Sequence, residues 1–209
     1  MEFVSARLGK REMRNSMKGH NRGYWKIGTS GWMYRHWKGV FYPAELPQSR
    51  WFEYYARYFD TVEINNTFYR LPTERTLDHW RGQAPADFVY AVKSSRYITH
   101  FRKLHECAKP LRRFLSRARR LGAKLGPILY QCPPHWSPNL PRLTTFAKLL
   151  PRDLVHVFEF RDPRWFDQNV LAVLREHQLV FCVYHMPGID CPLEATAPTI
   201  YVRLHGADE

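Results

Sequence analysis

Acid to balance its base, cysteine, and long apolar runs are all scarce in this 209-residue chain. No stretch approaches the roughly 18–20 uninterrupted apolar residues of a membrane span. The opening MEFVSARLGKREMRNSMKGH holds no apolar core of a secretory signal. The expectation is a cytoplasmic protein with no membrane partner. Cys107, Cys132, Cys182 and Cys191 form no C-x-x-C pair and match no zinc template. They are expected to stay reduced, because a chain of this length builds a core without disulfides. The dinucleotide signature G-x-G-x-x-G and the Walker phosphate loop are missing too, which argues against a doubly wound nucleotide-binding sheet.

What the chain does have is base. Lys and Arg total 32 against 19 Asp and Glu, a net charge of +13. Part of the excess sits at 1–24, read as a basic flexible extension ahead of a domain over 25–209. More of it sits in FRKLHECAKPLRRFLSRARRLGAKL (101–125), where a helix is expected over 101–121. Phe101, Leu104, Ala108, Leu111, Leu115, Ala118 and Leu121 fall at helical spacing there. Arg112, Arg113, Arg117, Arg119 and Arg120 lie largely on the other face. Pro110 is expected to kink or divide this helix and Gly122 to cap it. The plain reading of the basic face is solvation. The functional alternative is a nucleic-acid-binding patch over 101–124, without the interleaved aromatics that single strands require.

Seven β-rich runs recur, at 25–31, 61–69, 87–95, 126–132, 155–161, 180–185 and 199–205. Helical patterns separate them at 47–58, 73–83, 101–121, 139–149 and 168–177, with start signals at Thr73-Glu74 and at Asn139 ahead of Pro141. Strands alternating with helices predict an α/β fold with a parallel sheet, and the spacing suits a TIM-barrel-like (β/α) fold. Seven strands leave the eighth unit missing, so the barrel is expected to be incomplete.

In such barrels the catalytic groups lie at the C-terminal ends of the strands. Those ends carry Ser30 with Trp32, then Glu63, Asn65 and Tyr69, then Lys93, Gln131, Glu159 with Arg161 and Trp165, and finally Arg203 with His205. Glu63, Asn65, Lys93, Gln131, Glu159, Arg161 and Arg203 stand in otherwise apolar runs, where burial without partners is costly. One reading is a buried ion-pair network of Glu63 and Glu159 with Lys93, Arg161 and Arg203. The other is a pocket, in which Glu63, Glu159 and Lys93 are the catalytic candidates. Glu63, Glu159, His185 and His205 are metal-ligand types, but their spacing matches no template, so no metal is assigned. No motif names a cofactor.

The motifs IGTSGWMYRHWKGVFYP (27–43), FDTVEINNTFYRLP (59–72), FVYAVKSSRYITH (88–100), LGPILYQCPP (125–134), FEFRDPRWF (158–166) and YVRLHG (201–206) occur in order. Together they closely resemble the YecE-like family, domain of unknown function 72. The resemblance covers 25–206 and implies a TIM-barrel-like fold, related in outline to the xylose isomerase and endonuclease IV class. The family's recurring polar positions would fall here on Ser30, Trp32, Glu63, Asn65, Tyr69, Lys93, Gln131, Glu159, Arg161, Trp165, Arg203 and His205. The family continues past the His-Gly with a further helix and strand, a departure that bears on closure of the barrel.

The function expected is acid/base chemistry, by a hydrolase, isomerase or lyase, on a phosphorylated or polyhydroxy substrate, a small ligand that is anionic or polyhydroxy. Lys93 and Arg161 would hold its anionic groups and Trp165 would form a wall. The alternatives are nucleic-acid association through the basic helix, or a non-functional remnant of a longer barrel.

Overall fold

The computed structural model describes residues 25–206, so the basic extension expected over 1–24 lies outside it. Strands β1 (Gly28–Thr29), β2 (Thr61–Ile64), β3 (Val89–Lys93), β4 (Leu125–Cys132), β5 (His156–Phe160), β6 (Val180–His185) and β7 (Tyr201–Leu204) run parallel, in sequence order, in one sheet. Helices α1 (Trp51–Tyr58), α2 (Asn66–Tyr69), α3 (Glu74–Gln83), α4 (Ala108–Ala118), α5 (Leu140–Ala147) and α6 (Gln168–Glu176) fill the crossovers. The sheet curls into an incomplete (β/α) barrel whose two edges are β1 and β7.

Strand periodicity sorts the core into two compartments, because successive side chains point to opposite faces. Val62, Ile64, Tyr90, Val92, Tyr130, Phe158 and Phe160 point outward and join the helices in the main apolar cluster. Leu129, Val157, Val180, Cys182 and Tyr184 point inward and make a smaller cluster in the lumen. Above that lumen plug the inward positions turn polar, as Glu63, Gln131, Glu159 and Arg203. Gly28 permits the approach of β1 to β2, since a Cβ there would collide with the Thr61 carbonyl oxygen.

The helix starts follow side-chain capping. The Thr73 hydroxyl accepts from the Thr76 amide at 3.2 Å, and Asn139 Oδ1 accepts from the Arg142 amide at 3.0 Å. Each such cap contributes about 1 kcal/mol.

Two expectations are corrected. The second strand run stops at Ile64, because the chain turns at Asn65 into the single helical turn α2. The helix expected over 101–121 is three pieces: a π-helical turn at Tyr97–Phe101, then α4, then a 3₁₀ segment at Arg119–Lys124. Lys103, Leu104 and Glu106 adopt left-handed backbone angles that break the helical path. Pro110 lies in the first turn of α4, where a missing N–H costs nothing, so it neither kinks nor divides that helix. Gly122 has a φ of 59°, as a terminating glycine should.

Candidate functional site

The inward polar residues meet at the C-terminal rim of the sheet, around Arg203. Its Nε and Nη2 donate to Glu63 Oε2 and Oε1 at 3.0 and 2.9 Å, and its Nη1 donates to Glu159 Oε2 at 2.6 Å. One guanidinium from β7 thus ties β2 to β5 across the curl. Glu63 also accepts from the Tyr201 hydroxyl at 2.7 Å and from Ser30 Oγ at 3.4 Å. Glu159 accepts from Gln131 Nε2 at 2.9 Å, its register partner on β4, and from Arg161 Nε.

Both glutamates are buried, so their charges persist only because donors surround them. Burial pushes the Glu159 carboxyl up. The Arg203 and Arg161 guanidiniums and the Gln131 amide outweigh that and hold it below the ordinary carboxylate range. Burial likewise opposes the Arg203 charge, and the two glutamates overcompensate. His205 Nε2 lies 2.8 Å from Arg161 Nη2 and 3.3 Å from Arg203 Nη1. A guanidinium only donates, so this nitrogen accepts, and the ring is neutral. Burial and the two arginines lower the His205 pKa accordingly.

Lys93 stands apart from this network. Thr67 Oγ1 donates to the Lys93 carbonyl at 2.6 Å and so pins α2 to the end of β3. Phe68, the next residue of α2, presents its ring 4.5 Å from Lys93 Nζ. Among the described residues the ammonium forms no ion pair. The network expected to include Lys93 therefore consists of Glu63, Glu159, Arg161 and Arg203 without it. Burial, and then the Arg203 charge, lower the Lys93 pKa from its ordinary value.

The sequence-predicted residues divide accordingly. Ser30, Glu63, Gln131, Glu159, Arg161, Arg203 and His205 form one hydrogen-bonded cluster, with Lys93 beside it. Asn65 follows directly after β2 and donates from Nδ2 to the Ser30 carbonyl at 3.3 Å. Its Oδ1 is buried without a partner. Trp32 lies outside the barrel wall, edge-on to Phe52 and Trp80 at 5.3 and 5.7 Å. Tyr69 is 67% exposed on α2 and carries the Arg96 guanidinium over its ring. Trp165 is not the pocket wall that was expected. It stacks on outward-facing Phe160 at 4.5 Å and 5°, and its Nε1 donates to the Trp136 carbonyl.

Tyr201 and His100 escaped sequence reading. Tyr201 was signalled by its alternation with Arg203 and His205. His100 lies on the π-helical turn, where burial, Lys93 and Arg96 lower its pKa. The arginines of the basic segment are partly neutralised. Arg117 pairs with Glu74 at 3.3 Å and Arg119 with Asp153 at 2.7 Å, and Arg120 pairs with Asp78. Arg112 and Arg113 form no ion pair among the described residues.

A parallel (β/α) sheet with a polar cluster at its C-terminal rim defines the class of barrel to which this chain belongs. More particularly, the family model described as "Protein of unknown function DUF72" matches residues 26–209, and the chain is a member of that family. It is 30% identical to UPF0759 protein YecE of Escherichia coli K12 over 154 residues, covering 73% of this chain and 55% of that protein. The chain thus spans little more than half the length of that relative. It is 22% identical to UPF0759 protein YunF of Bacillus subtilis, covering 88% of this chain and 70% of that one. Among solved structures, a DUF72 family protein from Thermotoga maritima superposes with a TM-score of 0.79 at 27% identity. The superposition covers 88% of this chain and 75% of that one. No helix among the described residues is long and apolar enough to cross a membrane.

Proposed function

We propose that the barrel mouth binds a small anionic ligand, phosphorylated or polyhydroxy, and transfers a proton on it, as a hydrolase, isomerase or lyase does. One observation carries this reading: two carboxylates face three cations, and the surplus cation, Lys93, forms no ion pair with either carboxylate and packs against the Phe68 ring. An anion would supply the missing countercharge at an amine already stripped of much of its water. Arg161 and His205 sit toward the open side and hold the rest of the ligand.

Glu63 and Glu159 are saturated with N–H and O–H donors. A general acid needs a proton available near working pH, so in this reading the glutamates orient Arg203 and Arg161. Lys93, with its lowered proton affinity, moves the proton.

The test is calorimetric and thermal titration with inorganic phosphate, followed by NMR of proton–deuterium exchange into a panel of sugar phosphates. Phosphate should raise the melting temperature of the wild-type chain and leave Lys93→Met unmoved, since only a ligand that binds the native state stabilises it. At least one sugar phosphate should exchange a carbon-bound proton, or release inorganic phosphate, with the wild type alone. A melting temperature indifferent to phosphate in both proteins defeats the binding claim. Phosphate binding with neither exchange of a carbon-bound proton nor release of inorganic phosphate from any sugar phosphate defeats the catalytic one.

A further inference from the structure

A concavity lies beside the polar cluster, outside the barrel wall, between the loop after β1, the start of α1 and the body of α3. Its volume is about 440 Å³, within the roughly 300–1,000 Å³ of small-molecule clefts. Its floor is apolar and buried, built from Trp32, Phe52, Ile64 and Trp80. Its polar lining includes Gln48, Ser49, Asn66, His79 and Gln83, all exposed. No lining side chain is Asp, Glu, Lys or Arg, although a quarter of the chain is.

The geometry points to this cleft as a binding site for an uncharged polyhydroxy ligand, a neutral sugar unit. Donor and acceptor balance selects the ligand class. A hydroxyl both gives and takes a hydrogen bond, and so do the amides, hydroxyl and imidazole of this lining. Carboxylates only accept and guanidiniums only donate, and the cleft has neither. An inorganic anion finds no countercharge here. A purely apolar ligand would strip water from the amides without replacing their bonds. A planar base needs parallel walls, whereas the Trp32 and Trp80 rings cross at 83°. Such crossed aromatic surfaces suit the C–H faces of a sugar ring. Asn65 also lines the cleft, and its buried Oδ1 has no hydrogen-bond partner among the described residues. This inference stands independently of the anion proposed for the mouth.

The experiment is saturation-transfer NMR with isothermal calorimetry, using methyl glucoside, methyl xyloside and maltose as probes. Cyclohexanol is the apolar control and inorganic phosphate the control for the mouth. The glycosides should bind saturably. Gln83→Ala with Ser49→Ala should weaken them by about fivefold, the worth of one or two exposed hydrogen bonds. Gln48→Ala provides a second variant at an exposed position should the pair disturb folding. Lys93→Met should leave glycoside binding unchanged. The site is overturned if no glycoside gives saturable transfer, or if cyclohexanol binds as tightly as the glycosides. Glycoside binding that ignores the cleft variants and disappears with Lys93→Met also overturns it.

Discussion

Arg203 and Glu63 stand 140 positions apart in the chain, yet the guanidinium donates to both oxygens of the carboxylate, at 3.0 and 2.9 Å. The same group reaches Glu159 at 2.6 Å. Removing it strands two buried negative charges. Arg203→Met is expected to lower stability by about 3–5 kcal/mol, the cost of breaking a buried pair by deleting one partner. Arg203→Lys should recover only part of that, because an ammonium cannot fork toward two carboxylates. Urea denaturation monitored by fluorescence and circular dichroism measures both. A loss below 1 kcal/mol in Arg203→Met would mean the network is solvated and not a brace.

Lys93→Met should behave in the opposite way. The ammonium has lost water and forms no ion pair, and desolvation with the Arg203 charge outweighs the pull of the two glutamates, so its replacement by a thioether leaves stability unchanged or raises it by up to about 1 kcal/mol in the absence of anions. Chemical denaturation in a buffer free of phosphate and sulfate makes the comparison. Destabilisation on the scale of Arg203→Met would assign Lys93 a structural role.

His156 adds a pH dependence of the same sign as that of His205 at the mouth. It is buried, with Nδ1 at 3.2 Å from the Tyr130 hydroxyl and Nε2 at 3.0 Å from the Pro151 carbonyl. Burial lowers its pKa from 6.5 to about 4. The unfolded chain therefore takes up a proton that the folded one refuses as pH falls below 6.5. Stability is full above that value and declines by about 3 kcal/mol down to pH 4, where both states are protonated. His156→Gln should flatten this part of the pH–stability curve, leaving the carboxylate transition at lower pH.

The thiols should be inert while the chain is folded. All four cysteines are free, and three are buried. Burial pushes the Cys107 thiol up to about 11 and raises the Cys191 thiol as well. Since the thiolate is the reactive form, iodoacetamide should label slowly at neutral pH, with half-buried Cys191 first. Fast labelling of Cys107 would show that the segment around the π-helical turn opens.

Much of the fold was legible because two periodicities coincide with composition. The strands read clearly where outward Phe and Tyr alternate with an inward charge, as in His156–Phe160. Glu63, Gln131, Glu159 and Arg203 stood out for the same reason, as polar groups in apolar runs that burial obliges to find one another. Lys93 stood out equally, but its lack of a carboxylate was not readable, because pairing depends on which guanidinium reaches first in space. Trp165 misled because a tryptophan beside Arg161 and Asp162 has the composition of a binding wall, while its side of the barrel is decided by the turn at Pro163. The break before α4 was hidden because the spacing of Phe101 and Leu104 fits a helix. Left-handed geometry at three residues that are not glycine leaves no mark in composition. The neutral cleft was invisible for a related reason: its residues come from separate segments and share only their want of charge.

The long reach of Arg203 has a consequence for the order of assembly. During synthesis, β2 is complete well before Tyr201 and Arg203 exist, so for most of that time Glu63 has only water and Ser30 as partners on the inner face. Folding of the earlier strands can proceed through neighbouring pairs, which close short loops, but the contact from β7 to β2 closes the longest loop in the cluster. The tie between β2 and β5 through Arg203 therefore forms only when β7 arrives. The bonds from Arg203 and Tyr201 form in that same event, whereas those of Glu159 to Gln131 and Arg161 need only β4, β5 and the residue after it.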